Sequence, residues 1–255
     1  MKTIPTCSRV AAALCWFTAL LGISGHAATF ALNPSIDAFV TAGPTGNLSI
    51  NNYGGAGALS IAAAGLSKGE FQSVLQFNLN GAKSSFDSQF GAGHWSIQSA
   101  TLQLTATPPN NSIFNPSGVG QFSVSWMQND GWTEGNGTPQ SPSASGVTFS
   151  TLSNFVGIGD EALGVFNFNG ATNGNATYSL TLTPSFSAEI LAGSTVSFRM
   201  FAADSTVSYL FDSQNFGNAA LRPLLTISAI PEPGTVCLCA VGVFSWRSAF
   251  GNKRR

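Results

Sequence analysis

Between residues 28 and 230 the chain alternates apolar and polar residues with a period of two, over and over. Ala100, Leu102, Leu104 and Ala106 alternate with Thr101, Gln103 and Thr105, and Phe122, Val124 and Trp126 alternate with Ser123 and Ser125. A strand with one buried and one wetted face has this period, and an amphipathic helix does not. The pattern returns in "FQSVLQFNL" from Phe71, "ATYSLTLT" from Ala176, "TVSFRMFA" from Thr195, "STVSYLF" from Ser205 and "LLTISA" from Leu224. Between these runs lie "NNYGGAG", "TPPNN", "NDG", "EGNGTP" and "NGATNGN", which supply the Gly and Asn that turns with positive φ require. Eight or more strands so punctuated predict an all-β fold, two antiparallel sheets packed as a jelly-roll-like β-sandwich. One short helix is expected in "TPSFSAEILAG". Thr183 stands at its cap and Pro184 at its first position, Phe186 and Ile190 share a face, and Gly193 stops it. Asn110 to Gly120 and Gly135 to Gly146 read as long surface loops.

The ends are of different composition. Lys2 and Arg9 precede the apolar run "VAAALCWFTALLGI" and the small residues of "SGHAA", the three parts of a secretory signal, with cleavage expected after Ala27. The expected organisation is a signal peptide over 1–27, a sandwich domain over 28–229 and a tail over 230–255. All four cysteines, Cys7, Cys15, Cys237 and Cys239, fall in the end segments, so the domain folds without disulfides and has no cysteine nucleophile or cysteine metal site. From Ala28 to Ile230 the cations are Lys68, Lys83, Arg199 and Arg222 against ten acids, a net charge of minus six. Scattered cations on an acidic body offer no footprint for a nucleic-acid backbone, and nucleic acid is not an expected partner.

Catalytic chemistry finds few carriers. His94 is the one histidine after the signal, so neither a histidine metal cluster nor a Cys–His dyad is available. Asp130 with Glu134, or Asp160 with Glu161, are carboxylate pairs whose spacing suits glycoside hydrolysis only across a sugar-binding cleft, and turn formation accounts for them as well. No catalytic residue is assigned, and the chain is read as a non-enzyme. Aromatic planes beside Asn and Asp suit a sugar better, and Trp132, Tyr53 and Tyr209 are the candidate glycan contacts. No cofactor is required. Ca²⁺ is the one metal that hard oxygen ligands here would take, with Asp37, Asp204 and Asp212 as candidates.

Several stretches, in order, resemble the DNRLRE family of extracellular β-sandwich domains, which is related to carbohydrate-binding modules. They are "DAFV" at Asp37, "NNYGGAGALSI" at Asn51, "SVLQFNL" at Ser73, "IQSATLQLTAT" at Ile97, "DGWTEGNGTP" at Asp130 and "YLFDSQNFGNAALRPLLTISA" at Tyr209. The resemblance implies the sandwich and makes Trp132 a packing anchor. Gln76 stands where members often carry Arg, and the closing motif reads "FDSQNF" here.

The tail is similar to the PEP-CTERM sorting signal of Gram-negative envelopes. Pro231, Glu232 and Pro233 form its motif, "GTVCLCAVGVFSW" its apolar segment, and Arg247, Lys253, Arg254 and Arg255 its basic end. Cations held on the cytoplasmic side fix the topology of such a segment in the inner membrane. The resemblance implies processing by an exosortase-type enzyme and delivery to the cell envelope, the cell surface or the polysaccharide matrix. At 13 residues, Gly234 to Trp246 is shorter than the ~20 that span a bilayer comfortably. The expected function is that of an exported, non-catalytic sandwich with affinity for glycan or extracellular polysaccharide. The alternative is a structural or adhesive matrix protein without a small ligand, with a glycoside-processing enzyme third.

Overall fold

The structure, a computed structural model, describes residues 26–107, 114, 120–168 and 174–232. The signal segment up to residue 25, Pro233, and the tail cations Arg247, Lys253, Arg254 and Arg255 lie outside these residues, as does nearly all of the 110–120 loop.

Eleven strands follow one another: β1 (Ala28–Leu32), β2 (Ile36–Thr41), β3 (Ala58–Ala62), β4 (Phe71–Asn78), β5 (Trp95–Thr105), β6 (Gly120–Met127), β7 (Glu161–Phe168), β8 (Asn175–Leu180), β9 (Thr195–Ala202), β10 (Ser208–Asp212) and β11 (Leu224–Pro231). Three helices, α1 (Asn80–Phe90), α2 (Phe149–Leu152) and α3 (Pro184–Ala192), and a 3₁₀ turn at Ala219–Leu221 complete the described residues. The strands form two antiparallel sheets, as the alternation predicts. One runs β1-β11-β5-β8, and the other β10-β3-β4-β9-β6-β7 with β2 also paired to β4. The chain changes sheet at β1–β2, β4–β5, β5–β6, β7–β8, β8–β9 and β10–β11, so both sheets are woven from the whole length of the domain.

The apolar phase of each alternating run points into one core. Ala100, Leu102 and Leu104 of β5, with Leu225, Ile227 and Ala229 of β11, meet Leu75 and Phe77 of β4, Phe122 and Val124 of β6, and Phe198 and Met200 of β9. Each such Phe or Leu taken out of water contributes roughly 1.5–3 kcal/mol against chain entropy. Ladder irregularities at Val124/Ser125 and Ser228/Ala229 bend two of the strands.

The expected helix is α3. Gly193 ends it in the left-handed region (φ 72°), and Phe186 and Ile190 enter the core. Thr183 caps it by position but not by its side chain; the carboxylate of Glu161 instead accepts from the N–H groups of Ser185 (3.1 Å) and Phe186 (3.3 Å). The sequence pattern does not mark helix α1, because Gly81, Ser84 and Ser85 dilute its period. It is held by burial of Ala82 and Phe86, one turn apart, by the Lys83–Asp87 ion pair, and by Trp95, whose indole N–H donates to Asp87 (2.8 Å). Helices α1 and α3 touch, and Phe86 and Phe186 join the core at Trp95 and Phe198.

A second apolar cluster lies where the segment after β6 folds back on β2 and β4. Trp132, Val147 and Leu152 there cover Val40 and Val74. A third cluster, around Phe39, Tyr53 and Phe71, fills the place where β2 and β3 part, both paired to β4 but β3 only at Ala62 opposite Phe71.

Candidate functional site

Four segments far apart in the sequence converge beside that third cluster. Asp37 opens β2, Asn52 and Tyr53 precede β3, Glu134 follows β6, and Gln214 and Asn215 follow β10. Asn52 is the clasp among them. Its amide donates to the carbonyl oxygens of Glu134 (2.6 Å) and Val147 (2.7 Å), and its carbonyl accepts from the N–H groups of Gly54 and Gly137 (3.1 Å each). All four capacities of a buried amide are used, which fixes the 134–147 loop to the chain entering β3. The backbones approach so closely that a Cβ on Gly54 would stand 2.0 Å from the carbonyl oxygen of Glu134, and one on Gly137 1.9 Å from that of Asn52. The glycines of "NNYGG" and "EGNG" are therefore contact glycines as well as turn residues.

Glu134 is the second hub. One carboxylate oxygen accepts from Gln214 Nε2 (2.6 Å), Asn215 Nδ2 (3.1 Å) and the N–H of Asp37 (3.2 Å). Asp37 itself is 1% exposed; its Oδ2 accepts from the N–H of Gln214 (2.7 Å), and its Oδ1 has no partner within the protein. Burial above all, with nearby Glu134 adding to it, pushes this carboxyl up to about 8 against the opposing effects of the Gln214 N–H and Arg222. Asp37 is thus a neutral acid at neutral pH.

Next to this polar knot opens a pocket of about 620 Å³. Its walls are aromatic. Tyr53 stacks on Phe39 (centroids 4.7 Å apart, planes at 6°), Phe39 leans on Phe71 (5.9 Å), and Phe71 meets the edge of Phe114 (5.0 Å). Ala58 and Ser60 of β3 form the floor with Leu210, and the 138–142 stretch makes a lip. Among the described residues no Asp, Glu, Lys, Arg or His lines it. The nearest cation with a described contact is Lys68, whose ammonium sits over the Phe114 ring (4.7 Å) and donates to Ser208.

The three aromatic candidates are not brought together. Tyr53 lines the pocket, 4% exposed and with one ring face stacked on Phe39. Trp132 is 3% exposed, packed in the second cluster with its indole N–H donating to Ser197 (2.9 Å). Tyr209 is 3% exposed and wedged between Phe168 (4.4 Å) and Phe211. Neither ring lines the pocket, and as glycan contacts both are corrected to core residues. Alternation alone cannot distinguish a wall from a core position when a loop covers the outer face.

The candidate calcium ligands each have their own hydrogen-bond partners. Asp37 belongs to the knot. Asp204 accepts from the N–H groups of Gln121 (2.6 Å) and Thr206 (2.9 Å), and these backbone donors hold its carboxyl below the usual range. Asp212 accepts from Thr107 Oγ1 (3.1 Å). Among the described residues no three His, Cys, Asp or Glu side chains gather as metal ligands would.

Of the carboxylate pairs, Glu134 is engaged by three donors, Asp160 accepts from Gln128 and Gly157, and Glu161 serves α3. His94 stands at the turn into β5, its carbonyl accepting from the N–H of Glu232 (2.9 Å). Sequence reading missed Phe39, Phe71 and Ser60, because alternation within a single strand does not show which residues of β2, β3 and β4 meet around a cavity.

The fold and this pocket together define a two-sheet β-sandwich carrying an uncharged aromatic cavity on one sheet. In comparison with models of known protein families the chain matches none, and no curated protein matches it.

Proposed function

We propose that this is an exported, non-catalytic β-sandwich that binds glycan in the Tyr53 pocket and is sorted to the Gram-negative cell envelope or its extracellular matrix through its C-terminal tail. The observation that carries the binding half is the pocket itself. A preformed concavity walled by stacked aromatic rings, within the roughly 300–1,000 Å³ of small-ligand sites, suits the apolar face of a pyranose. The sorting half rests on the sequence of the two ends. The folded body accommodates it, since β1 begins at Ala28, directly after the expected signal cleavage, and β11 ends at Pro231, the first residue of the sorting motif. Ala28 pairs with Ala229, so the start of β1 and the end of β11 lie at the same end of one sheet. Among the described residues no helix is long and apolar enough to cross a membrane.

Two measurements test the two halves. Affinity electrophoresis against a panel of neutral and acidic polysaccharides should show retention, and Ala58→Leu, which fills the pocket from its floor, should weaken it at least ten-fold while the melting temperature holds. Retention by the filled variant equal to that of the parent would refute the pocket as the site. Mass spectrometry of the native protein should show a mature N-terminus at Ala28 and a C-terminus cut near the Pro-Glu-Pro motif. Recovery of a chain ending at Arg255 would sink the processing reading.

A further inference from the structure

The hydroxyls that line the pocket differ in one respect. Thr41 Oγ1 donates to the carbonyl of Glu70 and accepts from the N–H of Gly43. Tyr53 accepts at its phenolic oxygen from Asn51 Nδ2 (3.2 Å), and Thr138 Oγ1 accepts from the N–H of Ser141 (3.1 Å). Ser60 Oγ does none of this. The residue is 1% exposed and lines the cavity, yet its hydroxyl has no hydrogen-bond partner within the protein. Its backbone is satisfied separately, the N–H donating to Ser73 Oγ (2.9 Å) and the carbonyl accepting from the same hydroxyl (2.8 Å). A buried hydroxyl is ordinarily bonded, and one that is not marks a place where an incoming acceptor is favoured.

Resting on the glycan reading above, we infer that the pocket selects neutral sugars bearing an acetyl group, joined as ester or amide, with Ser60 Oγ donating to the acetyl carbonyl. The walls fit the two ends of that group. Phe39 and Phe71 offer apolar contact for a methyl and the floor offers one unspent donor. An anionic uronate would enter a lining without cations, next to Glu70 and Glu134 in a domain of net charge minus six.

The test uses the full-length chain in isothermal titration against acetylated glucomannan, the same polymer after mild alkaline de-acetylation, chitohexaose for the amide-linked acetyl, and alginate for the anion. Binding to an acetylated probe should be at least ten-fold tighter than to the de-acetylated polymer and to alginate, and which acetylated probe binds tells ester from amide. Ser60→Ala removes a hydroxyl that bonds nothing, so the melting temperature should be retained while the preference for acetyl falls about five-fold, the worth of one neutral hydrogen bond. Equal or tighter binding of the de-acetylated polymer or of alginate would overturn the acetyl assignment and leave glycan binding standing. A preference unchanged in Ser60→Ala would overturn the role of Ser60. No binding to any of the four would remove both readings.

Discussion

At the scale of single residues, Asp37 is the position with the sharpest consequence. Its carboxyl is buried between Glu134 and the Gln214 backbone and titrates near 8 in the folded chain, against 3.8 for the exposed group. The unfolded state therefore releases this proton at lower pH than the native state does. The stabilisation is complete below about pH 4 and is lost as pH rises through 8. Melting temperature should fall by roughly 5–10 °C between pH 5 and pH 9, corresponding to a few kcal/mol in a domain of this size. Asp37→Asn keeps the shape without the titration and should flatten most of that slope in calorimetric scans. A parent protein that melts at the same temperature at both pH values would contradict the burial argument. Trp132 teaches a different lesson at this scale: an aromatic in a Gly-rich loop looks available in sequence, yet the loop folds over β2 and β4 and takes the ring inside.

At the scale of elements, the two end helices depend on each other. Gly193 closes α3 at φ 72°, where a side chain is strained, and a Cβ there would also press to 2.8 Å on the Lys83 side chain of α1. Gly193→Ala should cost about 1–2 kcal/mol, measured by chemical denaturation, the sum of the left-handed penalty and the contact with α1. A neutral effect would contradict both the left-handed closure of α3 at Gly193 and its contact with Lys83. The element scale also shows how far local pattern reaches. Helix α3 was legible because Thr183, Pro184 and Gly193 are start and stop signals and Phe186 and Ile190 share a face. Helix α1 lacks a side-chain N-cap and has serines on its open face, so its pattern does not declare itself. It forms because Phe86 finds Trp95 (5.0 Å), a contact made only once β5 is in place.

At the scale of the whole molecule, stability comes from two sheets woven through six crossings and no covalent link. No cysteine occurs between Ala28 and Ile230. The melting temperature should be unchanged by a strong reductant, and a drop of more than a degree or two would implicate the terminal cysteines in a link to the body. The first and last strands close the fold together, Ala28 opposite Ala229 through Leu32 opposite Leu225.

The amino-acid sequence determined the class of fold, because a period of two with Gly and Asn punctuation admits strands and turns and little else, and a burial phase is a local property. It also set the three segments apart, since charge, cysteine and apolar runs partition along the chain. The tertiary structure alone decided the pocket and the knot beside it. Asn52 bonds across 82 and 95 positions to reach Glu134 and Val147, and Asp37 across 177 to reach Gln214. Which wetted face is later roofed by a loop, which aromatic stays on a wall, and which hydroxyl is left without a partner follow from the meeting of distant strands. No periodicity within one of them records it.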